Sequence, residues 1–355
     1  MSSTTIFQPH SGPIDIRKAL GGPTNDERHK VFKNLGIESA RVRNNISEGA
    51  DPLESRSLTL MNDLATSYDD AGKYSDAMIL YLECLDARRC LLGDDHPDTL
   101  ITVSNLGNLL CTRGCFDQAA PLLLMCQERF RRILGAADPR ALAATDNVAT
   151  LYCNMGRLRD AELLYKECLL GRIEVLGMDH PDTLCTMHNL AALYTSPSGS
   201  GLPLAEPELV ERLFEFCLDK RRRVLGSHHP STIDTMMYLA THYVNSRGQA
   251  RLREAEQLFA ECLSVRIKTL GPRHTDTISC LSCLAMVHYY QGNVRVAEPL
   301  LVECLQLQQQ HLGPQHEDTR TTIKVLLSLY RRSRRPQDAV KAERLIEETV
   351  PVNSL

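Results

Sequence analysis

The chain has 355 residues, and its 40 lysines and arginines nearly balance its 44 aspartates and glutamates. This balance excludes the overall positive field that favours nucleic acid or an anionic membrane as a partner. Thirteen cysteines are present, no apolar leader opens the sequence, and no apolar run is long enough to span a bilayer. We therefore expect reduced thiols in a cytoplasmic protein.

Residues 1–50 mix glycine, proline, serine and charged residues. A segment of this composition buries too little apolar surface to order itself, so we predict that 1–50 is mostly disordered. The stretch DERHKVFKNLGIESARVR within it predicts at most one short helix that caps the domain after it. An alternative for Met1–Gly22 is that it occupies a binding surface of the same chain as an internal ligand.

From residue 51 onward, one short motif recurs along the chain. LGDDHPDTL begins at Leu92, returns as LGMDHPDTL at Leu176, and recurs in looser or degenerate copies. Successive glycines of these copies are 42, 42, 49, 45 and 42 residues apart; they are Gly93, Gly135, Gly177, Gly226, Gly271 and Gly313. A period of this length is typical of repeat architectures.

Each repeat contains two runs in which apolar residues recur at three- and four-residue spacing, separated by a turn such as that at Gly114. Two amphipathic helices are therefore predicted in each repeat. The array is expected to span 51–350, followed by a tail, 351–355. The predicted helix pairs are 52–92, 97–134, 139–176, 181–225, 230–270, 275–312 and 317–349. The extra residues of the two longer repeats fall in loops between helices, which supports this register.

The histidine, aspartates and threonine of the motif could also form a metal or acid–base site. Metal binding would require the histidines to converge on one ion at about 2.0–2.1 Å, whereas equivalent positions in stacked repeats lie about 8–10 Å or more apart. We therefore predict no metal site, no cofactor and no catalytic residue. The proline suits the first turn of a helix, and the histidine before it is placed at or near the N-cap.

Six cysteines and four arginines keep a fixed distance from the junction glycines. The cysteines precede them by nine residues and are predicted to be small buried hydrophobes; they are Cys84, Cys126, Cys168, Cys217, Cys262 and Cys304. The arginines precede them by five residues; they are Arg88, Arg172, Arg221 and Arg266. We favour a cation in the last turn of a helix for these arginines, and the alternative is a basic ridge that binds acidic partners.

The helix pairs also carry small and aromatic residues at the spacing of a known repeat. In the third pair, Val148, Ala149, Tyr152, Ala161 and Tyr165 follow the tetratricopeptide pattern. NLAALY, AELLYKECL and the LG..HPDTL junction resemble the 42-residue tetratricopeptide repeats of kinesin light chains and light-chain-like proteins. This resemblance implies an all-α fold, a right-handed superhelical solenoid of about seven tetratricopeptide-type helix pairs. Residues 1–50 lack the heptads by which light chains bind the motor heavy chain.

The first helices of such a solenoid line an extended groove. Asn105, Asn147 and Asn189 share one register there, and the resemblance implies that asparagines at this position hold bound peptides. An asparagine amide both donates and accepts, so it can bind a peptide backbone. The alternative is that the asparagines fasten adjacent repeats to each other, and both roles can hold. The candidate groove residues are Asn105, Asn108, Asp146, Asn147, Thr150, Asn154, His188, Asn189, Tyr238 and Asn245.

We predict a non-catalytic scaffold or adaptor that binds peptide segments of other proteins in this groove, and neither nucleic acid nor membrane. An alternative is a regulatory or cargo-tethering subunit of a motor or signalling nucleotidase encoded on another chain. An enzyme that uses cysteine or histidine would need a nucleophile oriented by a base and a third group. No local spacing in the sequence supplies that arrangement.

Overall fold

A computed structural model describes residues 52–195, 206–246, 249–332 and 340. Every regular element within these residues is an α-helix. The helices are α1 (Pro52–Asp70), α2 (Tyr74–Leu92), α3 (Pro97–Thr112), α4 (Phe116–Leu134), α5 (Pro139–Asn154), α6 (Leu158–Leu176), α7 (Pro181–Tyr194), α8 (Pro207–Val224), α9 (Pro230–Asn245), α10 (Gln249–Thr269), α11 (Thr275–Tyr290), α12 (Val294–His311) and α13 (Glu317–Arg332). The predictions for 1–50, for the second helix of the last pair and for 351–355 lie outside the described residues.

The chain forms two compact units, Met1–Pro203 with α1–α7 and Leu204–Leu355 with α8–α13. Within each unit, every helix packs against the next helix in sequence. First helices of successive pairs also contact each other: α1 with α3, α3 with α5 and α5 with α7 in the first unit, and α9 with α11 in the second. The all-α fold of about six to seven sequential helix pairs is therefore confirmed. One continuous array over 51–350 stays a prediction.

Each pair is held together by small and large side chains at fixed positions of its second helix. A fully buried alanine near the start of the helix lets the two helices approach closely, as at Ala119 and Ala161. A large apolar residue four positions later fills the space between them, as at Tyr165 and Phe259. The six cysteines at their common register are also fully buried, as predicted. The Cys84 thiol donates to the carbonyl oxygen of Leu58 on the partner helix at 3.3 Å.

The recurrent motif is the junction between helix pairs. Gly93 ends α2 with φ of 87° and ψ of 168°, a conformation that strains any residue with a Cβ. Pro97 then begins α3, where its missing N–H leaves no hydrogen bond unmade. His96 is the N-cap, and its Nδ1 accepts from the backbone N–H of Asp98 at 3.2 Å. The predicted capping role is confirmed at the other junction histidines as well: His180, His229, His274 and His316.

Replacing His229 by alanine is expected to lower the free energy of unfolding by about 0.5–2 kcal/mol, the usual value of an N-cap. Its Nδ1 accepts from the backbone N–H of Ser231 at 3.2 Å. The neighbouring His228 is exposed and is the matched control, because His228→Ala leaves the cap in place. Urea unfolding of both variants measures the difference. Equal losses in the two variants would contradict a capping role.

Candidate functional site

The three asparagines that share one register lie on the consecutive first helices α3, α5 and α7, and each binds the first helix of the preceding pair. Asn105 Nδ2 donates to Asn62 Oδ1 at 3.4 Å, and Asn147 Nδ2 donates to Ser104 Oγ at 2.9 Å. Asn189 Nδ2 donates to Asp146 Oδ2 at 3.2 Å. We call Asn105, Asn147 and Asn189 the asparagine ladder. These bonds fasten adjacent repeats, which is one of the two roles that the sequence left open.

The ladder also keeps hydrogen-bonding capacity for a ligand. All three side chains are partly exposed. Each amide has two N–H groups and one carbonyl oxygen, and one N–H is used in the ladder. The three asparagines form no other side-chain hydrogen bond with the described part of the chain. One N–H and the Oδ1 atom of each asparagine therefore remain for a bound segment, and peptide binding by the ladder stays a prediction.

The other candidates of the first unit differ in accessibility. Asn108 is partly buried, and Asn154 is exposed at the end of α5. The Thr150 hydroxyl is 2.8 Å from the Tyr165 hydroxyl and 3.0 Å from the carbonyl oxygen of Asp146, to which it donates. This hydroxyl therefore ties α5 to α6 rather than standing free for a ligand.

Two candidates, Asp146 and His188, are buried, each with 8% of its surface exposed. Each directly precedes an asparagine of the ladder in the sequence. They occupy the same register as Ser104. Side chains at this register lie beneath the ladder and do not form the surface that would contact a ligand. Sequence reasoning placed these two side chains in the groove and overlooked Asn62 and Ser104 as acceptors. The constant separation of 43 residues between each donor and its acceptor could have revealed these pairs.

The remaining candidates, Tyr238 and Asn245, are exposed on α9 in the second unit. The Tyr238 ring stacks against the Phe214 ring of α8, with centroids 6.0 Å apart and planes at 28°. An exposed face of Tyr238 is suited to contact an apolar group. Its part in binding stays a prediction.

Asp146 is the centre of a buried polar cluster. Its Oδ1 accepts from the Thr186 hydroxyl at 2.7 Å and lies 3.6 Å from Arg172 Nη1. Burial raises the pKa of Asp146 above its ordinary value, while the Arg172 guanidinium and the hydrogen bonds from Thr186 and Asn189 lower it. The cluster links α5, α6 and α7 beneath the ladder.

The arginines that recur five residues before the junction glycines bind to the helix that follows them. Arg172 Nη1 donates to the carbonyl oxygen of Asp182 at 2.8 Å and to Thr186 Oγ1 at 2.6 Å. Arg88 and Arg221 make equivalent bonds to the first turns of α3 and α9. These three side chains are buried, so the basic-ridge interpretation is wrong for them. The favoured last-turn interpretation is also incomplete, because the guanidinium reaches forward into the following helix.

The second unit contains a cleft of about 470 Å³ between α8, α9 and α10. Several of its charged groups are bonded within the cleft: Arg222 pairs with Glu261, Arg251 with Glu254, and Tyr243 donates to Glu215.

Among the described ranges, no group of three or more histidine, cysteine, aspartate or glutamate side chains is arranged to hold a metal ion. No described helix combines the length and the apolar character needed to cross a bilayer.

The sequence matches family models of the tetratricopeptide repeat. One model matches residues 98–169 and 140–197, and another matches residues 57–98, 244–276 and 277–318. Together the matches cover more than half of the chain, and neither model describes a catalytic family. No curated protein sequence gave a significant match.

Several solved structures share the fold at low sequence identity. One is a variant from Podosopora anserina made of nearly identical TPR-like repeats, which are described as those of a kinesin light chain. It is 23% identical over 61% of this chain and 97% of its own, with a TM-score of 0.50. BtubC from P. vanneervenii is 16% identical over 72% of this chain and 92% of its own, with a TM-score of 0.51. NprR in complex with its cognate peptide NprX is 13% identical over 94% of this chain and 89% of its own, with a TM-score of 0.50.

Proposed function

Because the chain belongs to the tetratricopeptide repeat family, we propose that it is a non-catalytic, cytoplasmic scaffold or adaptor that binds peptide segments of other proteins. The asparagine ladder is the observation that carries this proposal. It presents three partly exposed amides at the same position of successive repeats, each held by a hydrogen bond to the preceding first helix. Side chains that are held in place before binding lose less conformational entropy when a ligand arrives.

The residues around the ladder favour recognition of the peptide backbone over recognition of charge. The exposed or partly exposed positions on the same faces of α3, α5 and α7 include Ile101, Ala143 and Cys185, each four residues before a ladder asparagine. Residues four apart share a helix face, and none of these three carries a charge. NprR, which has the same fold, was solved with a peptide bound, so the fold is compatible with this use.

The test begins with a peptide selected from a random display library on the wild-type chain. The double variant Asn147→Ala, Asn189→Ala is expected to bind this peptide about 5- to 150-fold more weakly, because two hydrogen bonds are each worth about 0.5–1.5 kcal/mol. Isothermal titration measures the affinities. Gln118→Ala is the matched control, since Gln118 carries the same amide group and is exposed on the second helix α4, away from the candidate groove residues.

The double variant also removes two bonds between repeats, so its circular dichroism and unfolding midpoint are recorded beside the affinities. A folded double variant that binds every selected peptide with unchanged affinity would overturn the proposal. A library that yields no binder to the folded wild-type chain would also count against it.

A further inference from the structure

Asp146 differs chemically from its counterparts beneath the ladder. Among the described residues, it is the only aspartate or glutamate in the buried set. The acceptors at the same position of the preceding repeats are Asn62 and Ser104. A hydroxyl or an amide can both donate and accept, whereas an ionised carboxylate can only accept.

This difference decides which way the amide of Asn189 faces. An asparagine amide is planar, with its nitrogen and oxygen on opposite sides, and a bond to a donor–acceptor partner permits either orientation. Both oxygens of Asp146 accept: Oδ1 accepts from Thr186 at 2.7 Å, and Oδ2 lies 3.2 Å from Asn189 Nδ2. Asn189 must therefore turn its nitrogen toward Asp146, and its oxygen points away from it.

The carboxylate is itself held in place. The Thr186 oxygen accepts from Arg172 Nη1 at 2.6 Å, and its hydroxyl donates to Asp146 Oδ1. Arg172 is also bound to the Asp182 carbonyl oxygen at 2.8 Å. Arg172 and Thr186 thus hold Asp146 through its Oδ1 atom, which leaves Oδ2 to accept from Asn189.

We propose that Asp146 is a positioning residue that presents the Asn189 carbonyl oxygen to the bound segment, so that the segment must offer a backbone N–H there and cannot carry proline. The inference rests on the proposed peptide-binding function and deepens it. Proline has no backbone N–H, and an oxygen acceptor facing it would lose its partner on binding. The ligand class at this point is an extended peptide with a free amide N–H.

The first test needs no ligand. Selective ¹⁵N labelling of asparagine in the full chain, with the Asn189 signal assigned through Asn189→Ala, gives the exchange rates of its two side-chain amide protons. We expect one protected proton in the wild type and no protected proton in Asp146→Asn, whose amide does not enforce an orientation. Ser104→Ala, which removes the partner of Asn147, is the matched control and should leave both Asn189 exchange rates unchanged.

Two results would overturn the inference at this stage. In the first, both side-chain amide protons of Asn189 exchange rapidly in the wild type. This result overturns the inference even if Asp146→Asn does not fold. The other is protection of Asn189 that survives in folded Asp146→Asn.

The second test measures whether the bound peptide needs a backbone N–H opposite Asn189. Each residue of the display-selected peptide is replaced in turn by proline and by its N-methyl derivative, and the affinities for the wild type and for Asn189→Ala are compared. At one position, both replacements should lower the affinity for the wild type about 5- to 150-fold, the cost of leaving one acceptor without a partner. That loss should be much smaller with Asn189→Ala and with Asp146→Asn.

The two proposals fail in different ways. Peptides whose binding ignores the ladder would end the proposed function, while the exchange measurement would still report how Asn189 is oriented. Ladder-dependent peptides that tolerate proline and N-methylation at every position would leave the proposed function intact and overturn the role assigned to Asp146.

Discussion

Replacing Arg172 by methionine is expected to lower the free energy of unfolding by about 3–5 kcal/mol, the usual loss when one partner of a buried ion pair is removed. The side chains of Arg172 and Asp146 are only 5% and 11% exposed, and their closest charged atoms are 3.6 Å apart. Without the guanidinium, the Asp146 carboxylate would remain buried with no opposite charge beside it. Urea unfolding of the full chain at neutral pH measures the loss.

Arg88 provides the matched control, because it makes the same two bonds to the next helix while the neutral Asn62 stands at the position of Asp146, 26 residues before the arginine. Arg88→Met should therefore cost less, about 1–3 kcal/mol for the charge-assisted hydrogen bonds alone. Asp146→Asn is expected to restore much of the stability lost in Arg172→Met. Equal losses for the two arginines, with no rescue, would show that the ion pair contributes nothing.

Acidification should distinguish the buried charge from lost packing. Burial already raises the pKa of Asp146, and removal of Arg172 raises it further. The folded variant then binds a proton at a pH where the unfolded chain, with an aspartate pKa of about 3.9, does not. Its stability therefore increases as the pH falls from 7 through the raised pKa toward about 4, so the loss relative to the wild type should shrink. A loss of packing alone would not depend on pH.

Phe259→Ala is expected to lower the free energy of unfolding by about 3–5 kcal/mol, because it removes a fully buried aromatic side chain and leaves a cavity. Phe259 is 1% exposed and occupies the position of α10 that fills the space between the two helices of its pair. Ile267→Ala on the same helix is the control, since Ile267 is 44% exposed. That change should stay within about 0.5 kcal/mol. Similar losses for both variants in urea would contradict the assignment of the core.

The junctions could be predicted from the sequence because local chemistry determines them. A glycine with positive φ, a proline in the first turn and a capping side chain act within a few residues of each other, as at Gly93, His96 and Pro97. The burial of the six cysteines followed from their constant distance to these glycines. These features need no knowledge of what packs against them.

The cluster beneath the ladder could not be predicted in the same way. Arg172 binds a carbonyl oxygen ten residues later, and Asp146 meets Thr186 across 40 residues. A charged residue in a helix is usually exposed, so burial of Asp146 becomes reasonable only once the arginine of the next helix is placed beside it. The ladder asparagines were found from the sequence, but their partners Asn62 and Ser104 were not.

The ladder connects stability to the proposed function. Its bonds to the preceding helix hold each amide in place, and the same amide keeps an oxygen and an N–H for a ligand. We expect a peptide to bind across α3, α5 and α7, with its backbone facing the ladder. Cys185 lies on this face, four residues before Asn189, and is exposed.

The rate at which Cys185 is alkylated in the presence of a display-selected peptide tests this account most directly. Cys90, which is exposed on the second helix α2, serves as the internal control in the same sample. Mass spectrometry after timed iodoacetamide treatment gives both rates. The account predicts that saturating peptide slows the alkylation of Cys185 severalfold and leaves Cys90 unchanged. Saturating peptide that leaves the Cys185 rate unaltered would contradict binding on the asparagine ladder.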